Sequence, residues 1–132
     1  MFFDFPDLDP KDRYKLITAT VVPRPVALVS TRNEDGSTNA APFSFFNVFS
    51  EDPPLVFLGL QSNPDLTLKD TTHNIRMTGE FVVNLVDEDI ASQMVACAAN
   101  FPRGENETGP AGLALTLSEN IDVDYISEAP IA

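Results

Sequence analysis

The chain has 132 residues, 43% of them hydrophobic, and its 20 Asp and Glu outweigh eight Lys and Arg to give a formal net charge of −12 at pH 7. This length fits one domain, and the charge argues against nucleic-acid binding, which depends on neutralising phosphates with basic side chains. It leaves room for a small phosphorylated ligand, which needs only one or two local cations or helix-terminal amides. No run of 18 apolar residues is present and the N-terminus is acidic, so we expect no membrane span, no signal peptide and a cytoplasmic location.

The first half of the chain predicts one helix followed by antiparallel strands. Asp9 as N-cap and Pro10 at the first helical position begin a helix that must end before Pro23. Asp35-Gly36 and Pro53-Pro54 are turn sequences, and the first is typical of a tight hairpin. The strands predicted around these turns are 26–31, 38–49 with an expected interruption at Pro42, and 55–60.

The second half predicts two helices, one further strong strand and short extended pieces. The predicted elements are a helix from about 69 to 78 ended by Gly79, a strand at 80–86, a helix at 87–100 capped by Asp87, a loop at 101–112, and extended pieces at 111–117 and 122–126. We therefore predict a mainly β fold with peripheral helices, arranged as an antiparallel barrel. Four strong strands are few for a closed barrel, so we expect residues 1–132 to be a single domain that is incomplete at its C-terminus.

The run from Asn39 to Ser50 combines aromatic, small and hydrogen-bonding residues. It contains three clustered phenylalanines and a serine in the order Phe43, Ser44, Phe45, Phe46. One interpretation is the wall of a pocket for a flat ring with polar edges, because ligand sites are mostly apolar with a few placed polar groups. The other interpretation is an aromatic core strand, which composition alone favours.

Several charged and polar residues allow two interpretations each. Lys69, Asp70 and Thr71 form either an ordinary helix start or an anion site at a helix N-terminus. Arg24, between two prolines, is either a structural salt-bridge residue or a second anion contact. We interpret Cys97 as a small buried hydrophobic residue and His73 as an exposed helical residue that binds no metal. We interpret Asn84 as a core amide with its hydrogen bonds satisfied, and residues 87–89 as a solvated helix start.

Taken in order, these segments resemble a known family. The matching segments are 22–31, Asp35-Gly36, 39–47, 50–54, 69–71 with Asn74-Ile75, and 78–85, with weaker matches at Phe101-Pro102 and 111–113. Together they resemble the flavin reductase-like family, whose fold is the FMN-binding split barrel. Within it, they are most similar to flavoredoxin and to the reductase components of two-component monooxygenases.

The resemblance implies that FMN is seated across strand ends near a dimer interface and is reduced by NADH or NADPH. It implies no catalytic side chain and no metal, because the flavin carries the hydride chemistry. By position, Asn39, Ala41 and Pro42 would approach the flavin or its ribityl chain, and Ser44, Phe45 and Phe46 would line the ring pocket. Ser50 would form a hydrogen bond near the ribityl or phosphate end, and Ser62, Lys69 and Thr71 would hold the phosphate.

Three functions remain open from the sequence. The first is an FMN-dependent oxidoreductase that uses NADH or NADPH and serves a monooxygenase or another electron acceptor. The second is a non-catalytic FMN-binding electron carrier that relies on a separate reductase. The third is a β-barrel interaction domain without a cofactor. For the intact protein we expect a homodimer, the commonest symmetric assembly.

Overall fold

The computed structural model describes residues 2–99, 101–102 and 106–132 of the chain. A 3-10 turn at Phe5–Asp7 precedes the regular elements. The helices and strands in chain order are α1 (Pro10–Thr20), β1 (Ala27–Arg32), β2 (Thr38–Phe43), β3 (Phe46–Glu51), β4 (Pro54–Leu58), α2 (Asp70–Thr78), β5 (Val82–Leu85), α3 (Ala91–Ala96), α4 (Thr108–Ala111), β6 (Leu115–Thr116) and β7 (Tyr125–Ile126). Within the described residues, no helix has the length and apolar character needed to cross a membrane.

The central sheet has three antiparallel strands in the order β2-β1-β5. The middle strand β1 is fully buried from Ala27 to Thr31, as its apolar run predicts. The loop between β1 and β2 contains the predicted Asp35-Gly36 turn, and Gly36 adopts a φ of 87°, which favours glycine. The antiparallel order expected from the turn sequences is therefore confirmed.

The predicted strand 38–49 is interrupted, but the interruption lies at Ser44-Phe45 and not at Pro42. Pro42 stays within β2 opposite Leu28. The N–H of Ala40, two residues earlier, points away from β1, so the missing N–H of Pro42 falls on the open edge of the strand and breaks no ladder bond. After Ser44-Phe45 the chain enters a separate two-stranded sheet, β3-β4.

The start of α1 and the end of α2 follow the predicted signals, and one helix is shorter than predicted. The Asp9 carboxylate accepts hydrogen bonds from the N–H groups of Lys11 and Asp12 and begins α1 as expected. Helix α2 ends at Gly79 with a φ of 74°, also as expected. The predicted helix 87–100 is reduced to α3 because Asp87 accepts from Asp89 and Ile90, which makes a local turn first. Its predicted last residue, position 100, lies outside the described residues.

The core lies between the central sheet and the segments that follow β5. Its buried cluster is Leu28, Ala40, Cys97, Leu113 and Ile126. Asn84 is fully buried among these strands and is the satisfied core amide predicted from the sequence. It donates to the Leu28 carbonyl at 2.8 Å and the Ser30 hydroxyl at 3.1 Å, and it accepts from the Ile126 N–H at 2.8 Å.

The C-terminal third is built from short elements. The predicted loop 101–112 contains α4, while its positions 103–105 lie outside the described residues. The predicted extended pieces reduce to β6 and β7, which pair with each other in antiparallel order. Among the described strands the sheets do not close into a continuous barrel.

Candidate functional site

Two adjoining cavities open along the edge of β2. The large cavity has a volume of about 490 Å³ and the small cavity about 180 Å³. They share Pro42, Phe43 and Lys69, so they form one cleft with Lys69 at the junction. The large cavity is otherwise lined by Asn39, Ala41, Asn63, Thr67, Leu68, Asp70, Thr71, 97–99 and Phe101. The small cavity is otherwise lined by Tyr14, Ser44, Phe45, Gly59 and Gln61.

This cleft contains seven of the ten residues that the sequence marked as candidate cofactor contacts. The large cavity holds Asn39, Ala41 and Thr71, the small cavity holds Ser44 and Phe45, and Pro42 and Lys69 belong to both. Residues from β2, from the β2–β3 link and from the start of α2 are thereby brought together.

The remaining three candidates, Phe46, Ser50 and Ser62, line neither cavity. Phe46 begins β3 opposite Leu58. The Ser50 hydroxyl donates to the Asp52 carbonyl and accepts from the Asp52 N–H, within the β3–β4 turn. Ser62 forms an isolated bridge with Leu68, which itself lines the large cavity.

The N-terminus of α2 is presented to the cleft without a side-chain cap. The N-cap residue is Lys69, and its side chain makes no capping hydrogen bond with the first turn of the helix. Helix α1, by contrast, has its N-terminal N–H groups satisfied by the Asp9 carboxylate. The Lys69 side chain is exposed and forms no ion pair within the described part of the chain. A helix N-terminus beside an ammonium group makes a site suited to an anion.

A buried amide and hydroxyl network fixes α2 against the central sheet. The Asn39 Nδ2 donates to the hydroxyls of Thr31 at 3.2 Å and Thr71 at 3.1 Å. The Asn74 Nδ2 donates to the same Thr31 hydroxyl at 3.1 Å and to the Asn33 Oδ1 at 2.7 Å. The first turn of α2 is thereby held in register with β2, and the Asn39 amide nitrogen is engaged within the protein.

Two acidic groups and a thiol lie together beside the large cavity. The Glu107 Oε2 accepts from the Ala40 N–H at 3.1 Å, on the open edge of β2. Burial raises the pKa of Glu107, the Ala40 N–H opposes that rise, and the nearby Asp70 adds to it. Burial, followed by the charge of Glu107, raises the pKa of Cys97 to about 11. Cys97 is thus a protonated, buried thiol at neutral pH and not a nucleophile, as predicted.

The loop 61–69 contributes Asn63 and Thr67, which the sequence interpretation did not single out. The Asn63 N–H donates to the Thr67 carbonyl at 2.9 Å, and the Asn63 Nδ2 donates to the Thr67 hydroxyl at 3.0 Å. Asp65 accepts from the Thr67 hydroxyl at 2.6 Å and the Thr67 N–H at 3.0 Å, which lowers the pKa of Asp65. The Asn63-Pro64-Asp65 sequence is a turn signal that marks this loop.

Helix α1 forms one wall of the small cavity, and Arg24 holds the end of this helix in place. The Tyr14 and Phe45 ring centroids are 6.0 Å apart with the rings tilted by 42°. The Arg24 Nη1 donates to the carbonyls of Thr18, at 2.9 Å, and Val21, and its Nε donates to the Ser44 hydroxyl at 3.4 Å. Arg24 therefore joins the end of α1 to the β2–β3 link, and it has no carboxylate partner among the described residues.

The described residues contain no group of three His, Cys, Asp or Glu side chains arranged to hold a metal ion. The one histidine, His73, is half-buried, and its Nε2 lies 3.0 Å from the Glu34 Oε1 on the β1–β2 loop. His73 thus joins α2 to this loop.

Comparison with known proteins gives a consistent result. Residues 19–132 match the family model described as "Flavin reductase like domain". A protein of Aquifex aeolicus is 41% identical over 132 residues, all of this chain and 67% of that protein. The crystal structure of 2-nitrobenzoate 2-nitroreductase from Pseudomonas fluorescens is 42% identical with a TM-score of 0.85, over 98% of this chain and 61% of that one.

A second solved structure superposes more closely. Nitrilotriacetate monooxygenase component B from Bacillus cereus is 37% identical with a TM-score of 0.93, over 98% of this chain and 63% of that one. A protein with a split barrel domain from Shewanella frigidimarina, 22% identical with a TM-score of 0.79 over 98% of this chain and 64% of that one, shares the fold. The chain thus has the antiparallel split-barrel fold, and it spans about two thirds or less of the length of these proteins.

Proposed function

The chain belongs to the family of the flavin reductase like domain, and on that premise we propose that it is an oxidoreductase that binds FMN and reduces it with NADH or NADPH. The observation that carries this proposal is the position of Lys69. It lies at the junction of the two cavities, beside the uncapped N-terminus of α2. A cofactor with a terminal phosphate beside Lys69 would therefore have space in the adjoining large cavity for the rest of its groups.

The donor set at this junction fits a phosphate monoester. Lys69 supplies a positive charge, and the first turn of α2 that follows it supplies N–H groups, which the Lys69 side chain does not cap. Charge-assisted hydrogen bonds of this kind are the strong class of phosphate contact. Asn63 and Thr67 face the same cavity, so their polar groups are within the lining as well. We propose that Lys69, Thr71 and the α2 amides hold the phosphate, with Ser62 at the edge of the site.

The rest of the cleft suits a flavin by size and by lining. The large cavity, at about 490 Å³, falls within the roughly 300–1,000 Å³ typical of ligand pockets. Ala41, Pro42 and Phe43 form an apolar wall along β2, next to the polar Asn39. We propose that this wall contacts the ring system and the ribityl chain and keeps water away from them.

The flavin, when bound, supplies the hydride-accepting chemistry, so the residues of the chain act by binding and orienting. The network through Asn39 and Thr71 fixes the phosphate cradle relative to the β2 wall. Cys97, uncharged at neutral pH, contributes apolar floor to the same cavity. In this proposal no side chain acts as an acid, a base or a nucleophile.

We also propose that the chain forms a homodimer through its β3–β4 hairpin. Both faces of this two-stranded sheet carry exposed apolar side chains, and a two-stranded sheet by itself is marginally stable in water. The exposed fractions are 68% for Val48, 73% for Phe49, 46% for Val56 and 50% for Phe57. A second copy related by two-fold symmetry would cover this surface.

By analogy with the similar monooxygenase component B, we propose that the electrons pass to a monooxygenase or a comparable acceptor. The cytoplasmic location expected from the sequence belongs to the same proposal.

The test is a pair of measurements on the purified protein. Titration with FMN, followed by flavin fluorescence, should show saturable binding. NADH or NADPH should bleach the bound flavin, and the protein should oxidise either nicotinamide continuously when free flavin is supplied. Binding without bleaching would favour the electron-carrier function instead. Absence of both flavin binding and nicotinamide oxidation would eliminate the proposal.

A further inference from the structure

Helix α1 lies almost entirely outside the segment 19–132 that matches the family model, yet it supplies one wall of the cleft. The residue responsible is Tyr14, which lines the small cavity together with Ser44, Phe45 and Gln61. We infer that Tyr14 is a donor-binding residue: it forms the outer wall of a subsite that receives the nicotinamide ring of the electron donor. This inference rests on the function proposed above and assigns a role to the small cavity within it.

The size of the small cavity favours a single ring. Its volume of about 180 Å³ is below the roughly 300 Å³ at which pockets for larger ligands begin. The three fused rings of a flavin need more space, whereas one six-membered ring with a small substituent needs less. Because the small cavity shares Pro42, Phe43 and Lys69 with the large one, a ring held there would lie next to a flavin in the large cavity.

The lining combines aromatic surface with free hydrogen-bonding groups. Tyr14 and Phe45 form adjacent walls 6.0 Å apart between ring centroids, a distance typical of tilted aromatic pairs. The Gln61 side chain is exposed and makes no hydrogen bond with the described residues. A primary amide both donates and accepts, so it can pair at two points with the carboxamide of a nicotinamide ring.

The Ser44 hydroxyl adds a directed donor to this lining. It accepts from the Arg24 Nε at 3.4 Å, which leaves its hydrogen available for a ligand oxygen. The same Arg24 side chain holds the C-terminal end of α1 through the carbonyls of Thr18 and Val21. Arg24 thus sets the position of the helix that carries Tyr14 and the orientation of the Ser44 hydroxyl.

The contact can be observed directly because the chain has no tryptophan and only two tyrosines. Protein labelled with ¹³C in its tyrosine rings gives two sets of aromatic NMR signals, and Tyr125→Phe assigns them, since Tyr125 lies away from the cleft in β7. With FMN present, titration with β-nicotinamide mononucleotide should shift the Tyr14 signals and leave those of Tyr125 unchanged. Titration with ribose 5-phosphate, which lacks the ring, should shift neither.

Kinetics and binding then separate the donor from the cofactor. Tyr14→Ala should raise the KM for NADH or NADPH about tenfold, the loss expected for an aromatic contact, and leave the Kd for FMN unchanged. Tyr14→Phe keeps the ring and should retain the KM. Ile17→Ala on the same helix is the matched control, because Ile17 is outside both cavities.

The outcomes distinguish this inference from the proposed function. If the unsubstituted chain binds FMN and oxidises the nicotinamide but Tyr14→Ala keeps the same KM, the inference is wrong and the function stands. If Tyr14→Ala weakens FMN binding instead, the small cavity holds part of the flavin and the inference is again wrong. If the unsubstituted chain binds no FMN, the proposed function fails and the inference fails with it.

Discussion

Lys69 is the residue whose charge matters most in the proposed cofactor site. It is one of three lysines in a chain with a formal charge of −12, and it lies where the two cavities meet. Asp70, its neighbour in the sequence, lines the same large cavity, and we propose that the attraction for a phosphate there comes from Lys69 and the α2 amides. In a protein this acidic, the local arrangement of charges and not the net charge decides whether an anion binds.

We predict that Lys69→Glu weakens FMN binding by a hundredfold or more without unfolding the protein. The change removes a charge-assisted phosphate contact and adds repulsion, together about 3 kcal/mol. Fluorescence titration with FMN measures the effect, and circular dichroism checks the fold. Lys11→Glu, at the exposed start of α1, makes the same change in net charge and should bind FMN normally. Equal affinities for the two variants would remove Lys69 from the site.

Asn39 acts in the structure as a positioning residue as well as a cavity wall. Its amide nitrogen is engaged with Thr31 and Thr71, so Asn39→Ala leaves two buried hydroxyls with one partner fewer. We predict a loss of about 1–3 kcal/mol in the free energy of unfolding, measured by urea denaturation, and weaker FMN binding. Asn47→Ala is the control, since Asn47 is exposed and, among the described residues, its side chain accepts only from the adjacent Val48 N–H. If the two variants are equally stable, the network contributes nothing.

Among the helices and strands, the sequence predicted the ends and turns that are set by local hydrogen bonds and backbone angles. Asp9-Pro10, Asp35-Gly36 and Gly79 mark a helix start, a hairpin turn and a helix end, and the structure has all three. Each depends on backbone angles or hydrogen bonds within a few residues, so it can be identified without knowledge of the fold. The link at Ser44-Phe45 was not predictable in this way, because it depends on the chain leaving one sheet for another.

The candidate site likewise contains some residues that the sequence identifies and others that it does not. Residues of β2 and the start of α2 were identified because they are close in sequence to recognisable segments. Tyr14 and Gln61 were missed, since each reaches the small cavity only through tertiary packing, for Tyr14 through the Arg24 contacts with α1. Neither residue has a sequence signal that distinguishes it from an ordinary surface position.

We predict that Gly59→Ala disrupts the contact between the end of β4 and the β2–β3 link. The Gly59 N–H donates to the Phe45 carbonyl at 2.7 Å, and a Cβ at Gly59 would lie 2.8 Å from the Phe45 Cβ. Relieving this overlap requires a backbone shift, so the free energy of unfolding should fall by about 1–3 kcal/mol. Gly109→Ala serves as the control because nothing lies within 4 Å of its added Cβ. Identical urea midpoints for the two variants would contradict the predicted overlap.

Glu107 makes the free energy of unfolding of the chain depend on pH. Because burial raises its pKa in the folded state above the ordinary 4.5, the folded state binds this proton more tightly than the unfolded state. Below pH 4.5 the carboxyl is protonated in both states and costs nothing. As the pH rises from 4.5 through the raised folded-state pKa, stability is lost, because ionisation becomes easier in the unfolded chain.

We predict that Glu107→Gln stabilises the protein at pH 7 and has little effect at pH 4. The glutamine oxygen can still accept from the Ala40 N–H, so the substitution removes the buried charge and keeps the hydrogen bond. Urea denaturation across the pH range measures the difference, with the exposed Glu119→Gln as the control for net charge. An increase in stability that is the same at pH 4 and pH 7 would show that Glu107 is not the titrating group.

We infer a dimer from the apolar side chains that the β3–β4 hairpin leaves exposed. Phe49 on β3 is 73% exposed, whereas Leu28 and Ala40 of the central sheet are buried in a cluster with residues of the C-terminal segments. We predict that the unsubstituted chain is a dimer in light scattering coupled to gel filtration, and that Phe49→Asp makes it a monomer because burying a charge in the paired hairpins is unfavourable. Leu117→Asp introduces the same charge at a residue that is 77% exposed outside the hairpin, and it should remain dimeric. A monomeric unsubstituted chain, or a Phe49→Asp variant that stays dimeric, would show that the hairpin is not the interface.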